Sequence, residues 1–258
     1  MDKNQINTIE SILKESLRYK FQNYNPEPAV KPFHTRLLGK DRLALYSFIQ
    51  SLLSSFGTSF YEPVAKEIGS VHFQFAYLHQ VSGNRISSEA HKVIQTIMDK
   101  LSVASTTPNK PYEIEAIRKV CTLGEMTDVK PTKIDLKLVS KKGTIYLIDL
   151  KTVKPNSGEF KGYKRTLLEW VAVTLATNPK ADVQTLLAIP YNPYEPEPYN
   201  RWTIRGMLDL EYELKVAEEF WDFLGGDGAY QDLLDIFERV GIELRPEIDD
   251  YFARFNKT

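Results

Sequence analysis

The sequence predicts an α/β fold, with a mixed central sheet flanked by helices and further helices at both ends. Three observations carry this expectation. Two apolar runs, 135–140 and 144–151, alternate like strands on either side of Lys141-Lys142-Gly143. A third apolar run at 183–189 follows across a segment of helical period at 161–176, the order expected of a right-handed crossover to a parallel strand. Amphipathic helical spacing occupies the chain before and after them.

Residues 4–21 place Ile6, Ile9, Ile12, Leu13, Leu17 and Tyr19 at helical intervals, which predicts the first helix. The segment NYNPEPAVKP reads as a loop, because its prolines remove backbone donors. Lys40 to Phe56 reads as a second helix that ends near Gly57. Thr58 or Ser59 is placed to cap a third, with Glu62 in its first turn and Pro63 where a missing N–H costs little. Ser87 or Ser88 is placed to cap a helix running to about Val103, and Ser105 to Pro111 reads as a loop.

The strand pair comes next. Gly143 suits the left-handed position of a three-residue turn. In that register Asp135 stands directly across from Asp149, and Lys151 shares their face because side chains alternate along a strand. A two-residue turn would slip the register by one and separate them. Both faces are apolar, with Leu136, Leu138, Tyr146 and Ile148 on one and Val139, Ile145 and Leu147 on the other, as for a central pair covered on both sides. The helix at 161–176 carries a stripe of Leu167, Leu168, Val171 and Leu175. The segment YNPYEPEPYNRW is too rich in proline for regular structure. Residues 209–240 read as largely helical, and the GGDG at 225–228 as a cap and turn.

The chain has 258 residues, of which 42% are hydrophobic, enough to bury a sizeable core. A single domain over 1–258 is expected, with an N-terminal helical part at 1–57, a core at 58–190, and a loop and C-terminal helical part at 191–258. The lone Cys121 rules out a disulfide framework and fits a reducing compartment. No window approaches the ~18 apolar residues of a membrane span, and MDKNQINTIESILKESL lacks an apolar signal core. A cytoplasmic protein with no membrane partner is expected. The net charge of −1 does not itself argue for nucleic acid. Its distribution says more: basic residues crowd the stretch from Lys130 to Arg165, where only Asp135, Asp149 and Glu159 oppose them, and acids dominate from Asp209 to Asp250, an asymmetry that allows a basic working face and is equally that of a solvated surface.

Two carboxylates and a lysine on adjacent strands point to phosphodiester hydrolysis. That reaction needs charge at the phosphoryl oxygens and a deprotonated water, and Mg2+ held by one or two carboxylates supplies both. Asp135 and Asp149 are the candidate metal ligands and Lys151 the group that positions water. The triplet is weak by itself, since Asp128-Val-Lys130, Asp135-Leu-Lys137, Glu159-Phe-Lys161 and Glu213-Leu-Lys215 have the same form. Only the one at Asp149 ends an apolar strand and faces a second acid. Glu62, between aromatic and apolar neighbours at a helix start, is the candidate third carboxylate, with Glu89 as its rival. Either acid is also explained by the favourable field at a helix N-terminus. His34, His72, His79 and His91 show no metal spacing with Cys121 and read as surface or core residues.

These residues resemble the PD-(D/E)XK nuclease superfamily, whose core is a mixed sheet between helices with an acid on one hairpin strand and acid-x-Lys on the next. Asp135 matches the first acid, Asp149 the second and Lys151 the lysine. Ile134 departs from the pattern, since it stands where a proline is common, and Pro131 lies four residues before Asp135. The longer stretches PFHTRLLGKDRLALYSFIQSL, FGTSFYEPVA, AIPYNPYEPEPYNRWT and AEEFWDFLGG resemble the TdeIII-type restriction endonucleases. The resemblance implies a type II enzyme that cuts double-stranded DNA with Mg2+ at a GGNCC-type site. A palindromic target implies a homodimer, because protein symmetry mirrors site symmetry. A cognate DNA methyltransferase is expected as a genetic partner.

Candidate DNA contacts are Lys154, Lys161, Lys164 and Arg165 after the second strand, and Arg36, Lys40 and Arg42 near the N-terminus. Long basic side chains bind phosphate or read guanine edges. Asn192, Tyr194, Asn200 and Arg201 are candidates for a recognition loop. A solvated surface residue is the competing reading of each. Two other functions fit the same sequence: a structure-specific repair or recombination nuclease, and a DNA-binding or scaffold protein whose hairpin acids do no chemistry.

Overall fold

The computed structural model describes residues 1–25, 31–151, 157–199, 204 and 206–254. Its centre is a mixed five-stranded sheet built from β1 (Phe75–Val81), β4 (Lys133–Val139), β5 (Ile145–Leu150), β6 (Val183–Ile189) and β7 (Leu214–Val216), in the order β1-β4-β5-β6-β7. The strands β2 (Arg85–Ser87) and β3 (Met126–Asp128) pair separately. The pairs β1–β4 and β4–β5 are antiparallel; β5–β6 and β6–β7 are parallel. The near-continuous apolar run of β6 is what a parallel strand covered on both faces requires.

Helices cover both faces. On one side α5 (Ser88–Ser102), α6 (Lys110–Arg118) and α7 (Phe160–Thr177) bury Ile94, Ile117, Leu167, Leu168, Val171 and Leu175 against Leu147, Val183 and Leu187. On the other, α1 (Lys3–Asn23), α4 (Glu62–His72), α8 (Glu218–Gly225) and α9 (Ala229–Glu243) bury Ile9, Val64, Ile68, Trp221, Leu224 and Ile236 against Leu136, Leu138, Ile148 and Leu186. The helices α2 (Pro32–Leu38), α3 (Lys40–Phe56) and α10 (Arg245–Ala253) complete the described α-helices. Among the described residues, no helix is long and apolar enough to cross a membrane.

The expected cap at Ser87 is present, its hydroxyl accepting from the Ala90 N–H at 3.0 Å. Other expectations need correction. Pro32 does not lie in a loop but opens α2, which stops at Gly39 with φ 89. The expected loop at 105–111 ends early, because Asn109 caps α6 through the Tyr112 N–H and Pro111 sits in the first turn. Gly57 does not break the chain. It keeps helical angles and enters a π-helical turn (Gly57–Tyr61) that runs straight into α4, so neither Thr58 nor Ser59 acts as a cap. Leu214–Val216, inside a stretch read as helical, is strand β7, with its neighbour Ala217 at φ 49.

The approach of α8 to α4 is close at Gly225. A β-carbon there would stand 2.7 Å from both Ile68 Cγ2 and Ala229 Cβ. Gly225→Ala is therefore expected to destabilise the fold by about 1–3 kcal/mol. A thermal midpoint equal to that of the wild type would contradict this packing.

Candidate active site

The turn between β4 and β5 sets the geometry. The Ser140 N–H donates to the Thr144 carbonyl and the Gly143 N–H to the Ser140 carbonyl, each at 2.9 Å, with Gly143 in the left-handed region at φ 90. The paired residues run from Val139–Ile145 to Leu136–Ile148. One further step in this register sets Asp135 across from Asp149, as the three-residue turn requires. The Leu150 N–H donates to Asp135 Oδ2 at 3.0 Å and ties the strands together at that point.

Lysines attend both carboxylates. Lys151 Nζ lies 2.6 Å from Asp149 Oδ1 and 5.0 Å from the ring centre of Tyr163 on α7, a cation–π contact. Tyr163 in turn donates its hydroxyl to Glu159 Oε2 at 2.5 Å. Lys133, two residues before Asp135 and on its face, places Nζ 3.1 Å from Asp135 Oδ1 and 3.5 Å from Glu62 Oε1. The start of α4 thus delivers Glu62, a buried acid, to the hairpin. The second Glu62 oxygen meets His79 Nε2. His79 lies on β1 between the pairs Leu78–Leu136 and Gln80–Ile134, opposite Asp135, and its backbone is left-handed at φ 54. A non-glycine residue in that region is strained and locally interrupts the pairing.

The electrostatics follow from burial. Loss of solvent pushes the Asp149 carboxyl up to about 6; Lys151 opposes the rise and the neighbouring Asp135 adds to it. Burial works against the Lys133 ammonium, but Asp135 and Glu62 together outweigh it and hold its pKa above the ordinary lysine value.

The structure brings Asp135, Asp149, Lys151 and Glu62 together and leaves Glu89 elsewhere, where it pairs with Lys92 at 2.7 Å on α5. It adds Lys133, His79 and Tyr163, which sequence reasoning left out of the site. Alternation along β4 was the available signal for Lys133. Nothing in the sequence marked β1, so His79 had no visible partner. Lys164 is not a surface residue. It is fully buried, with Nζ 2.5 Å from both Glu113 Oε2 and Glu213 Oε2, and Glu213 Oε1 also accepts from the buried Lys110 Nζ at 2.8 Å. A DNA phosphate has no path to it in this conformation. Arg165 is partly exposed and bonds Gln95 Oε1 at 2.7 Å; Lys161 is exposed. Arg36, Lys40 and Arg42 are exposed on α2 and α3. Asn192 shapes its own loop, donating to the Glu197 carbonyl at 2.7 Å and accepting from the Tyr194 N–H at 3.0 Å. Lys154, Asn200 and Arg201 lie outside the described residues.

Among the described residues no three His, Cys, Asp or Glu side chains converge as a ready ligand cage. What converges is a pair of opposed aspartates, each matched by a lysine. Carboxylate oxygens are hard donors of the kind Mg2+ takes, and that ion commonly binds through only one or two of them. The donor set therefore fits.

Comparison with known proteins gives the same class of activity. The sequence model of the family described as "Type II restriction endonuclease, HinfI" matches residues 1–241. The type II restriction enzyme HgiEI of Herpetosiphon aurantiacus is 25% identical over 224 residues, covering 85% of this chain and 80% of that enzyme. HgiBI of the same organism is 24% identical over 247 residues, 91% of this chain and 88% of its own. MjaII of Methanocaldococcus jannaschii is 24% identical over 234 residues, 83% of this chain and 59% of its own. With nearly its whole length matched, the chain belongs to the HinfI family of type II restriction endonucleases and is a site-specific DNA endonuclease.

Proposed function

We propose that the chain cuts duplex DNA with Mg2+ through a PD-(D/E)XK-type centre, as one restriction-endonuclease domain. Asp135 and Asp149 hold the ion, Glu62 is the third carboxylate and Lys151 is the catalytic lysine. The observation that carries this reading is the opposition of Asp135 and Asp149 on adjacent strands, with Lys151 Nζ 2.6 Å from Asp149. A bound divalent ion supplies charge for the phosphoryl oxygens and a more acidic water. The chain's own groups do the rest. The Leu150 N–H fixes the Asp135 carboxylate, and the Tyr163 ring holds the Lys151 ammonium beside Asp149. That ammonium is placed to hold the attacking water by hydrogen bonding and to ease its loss of a proton.

The target we propose is a GGNCC-type palindrome, supported by the TdeIII-like segments on both sides of the hairpin. A palindrome is met by a homodimer, and a cell containing such an enzyme protects its own sites with a cognate methyltransferase. Lys161 and Arg165 on α7 and the basic residues of α2 and α3 are the proposed phosphate contacts. Incubating the protein with plasmid and Mg2+ is expected to yield discrete fragments whose ends map to one such sequence. Random degradation, or a preference for branched DNA, would overturn the specificity.

The raised Asp149 carboxyl predicts a pH dependence. Its stabilising contribution to the metal-free fold is present below the ordinary value of 3.8 and is lost as pH rises through about 6. A cation must displace its proton below that point, so metal affinity falls as pH drops through about 6. The rise in thermal midpoint produced by Ca2+ is expected to be larger at pH 7.5 than at pH 5. An equal rise at both would contradict a role for Asp149 as ligand.

A further inference from the structure

Lys133 bridges two of the carboxylates assigned to the metal, Asp135 and Glu62. Its ammonium spans Asp135 Oδ1 at 3.1 Å and Glu62 Oε1 at 3.5 Å. The two lysines of the site are held differently. Lys151 is packed on the Tyr163 ring and is 29% exposed, whereas the Lys133 side chain is 45% exposed. Its ammonium pairs with the two carboxylates, and solvent gives it a route away from them. Glu62, by contrast, is 5% exposed and keeps His79 on its other oxygen, so it stays in place if the lysine leaves.

We propose that Lys133 is an internal counter-ion that keeps Asp135 and Glu62 closed to a divalent cation until a DNA phosphate draws its ammonium away. The proposal rests on Asp135 and Glu62 being ligands of the metal. Without DNA, the ammonium offsets one of the two charges on a pair of buried acids, weakens the repulsion between them and repels an incoming cation. With DNA, a backbone phosphate offers the ammonium a new partner and the carboxylates become free. Metal and DNA then assist each other's binding, because coupling between two sites is reciprocal. The enzyme would thus load its metal mainly on DNA.

The test is calorimetric titration of Ca2+ into DNA-free protein, comparing wild type, Lys133→Met, Lys133→Arg and Asp149→Asn. Lys133→Met is expected to bind Ca2+ about tenfold or more tighter than wild type, within the usual range of coupling between sites. Lys133→Arg keeps the charge and should stay near wild type. The gain in Ca2+ affinity on adding duplex DNA should shrink in Lys133→Met. Lys133→Gln, uncharged but able to bond both carboxylates, provides a second neutral variant and should shift affinity in the same direction. Ca2+ affinity unchanged or weakened in both neutral variants overturns the proposal. Asp149→Asn separates the two claims: if it loses Ca2+ while the Lys133 variants gain nothing, only the counter-ion role fails. If Asp149→Asn binds Ca2+ like wild type, the metal site itself is wrongly placed.

Discussion

Asp149→Asn and Lys151→Ala are each expected to slow plasmid cleavage by about 10³-fold or more, the scale on which charge-stabilising and proton-transfer groups act. Duplex binding should survive, because contacts to phosphate elsewhere on the protein supply most of it. Asp149→Asn is the sharper of the two. Asn has nearly the shape of Asp, and the charge it removes is one that burial already disfavours. The variant should therefore fold at least as stably as wild type without metal while failing to cut. Cleavage rates, DNA binding by gel shift and thermal midpoints in a chelator test all three points. Undiminished cutting by either variant would remove the assignment.

The second large effect is on folding. Lys110, Glu113, Lys164 and Glu213 are buried together and tie α6 and α7 to the segment that enters β7. Burial disfavours the Glu213 carboxylate, yet Lys110 and Lys164 hold its pKa below the usual range; burial lowers that of Lys110 itself. The two lysines and two glutamates balance in formal charge, so the cluster persists only while every member is matched. Lys164→Ala or Glu213→Ala leaves an uncompensated buried charge and is expected to cost about 3–5 kcal/mol. Arg165→Ala, one residue along at the surface, should cost about 1 kcal/mol or less. Urea unfolding of the three variants distinguishes them, and a loss of similar size in all would show that the cluster is not special. The cluster also bears on activity, because Tyr163, which packs on Lys151, is the neighbour of Lys164 on α7.

The legible parts of this fold were those where local pattern and tertiary environment agree. The helix Lys40–Phe56 and strand Val183–Ile189 have the bounds their sequences imply, and Gly143 specifies the turn that opposes Asp135 and Asp149. The edge strand β1 was hidden. Its residues are mostly exposed and its sequence, FAYLHQV, does not alternate polar with apolar, so its place depends on pairing with the distant β4. His79 was hidden with it. Strand β7 is three residues long and exists because β6 offers an edge. Lys164 was misread for a general reason: a lysine in a basic stretch looks exposed unless its buried acids, 51 and 49 residues distant in sequence, are known.

The most direct test of the metal centre is a crystal structure of the protein with cognate duplex and Ca2+, an ion that occupies oxygen sites similar to those of Mg2+. Ca2+ is expected at about 2.3–2.6 Å from oxygens of both Asp135 and Asp149, with the scissile phosphate on the same ion and Lys151 directed to the attacking water. Calcium bound away from this pair, with the two aspartates still held by Lys133 and Lys151 while DNA is engaged, would contradict it.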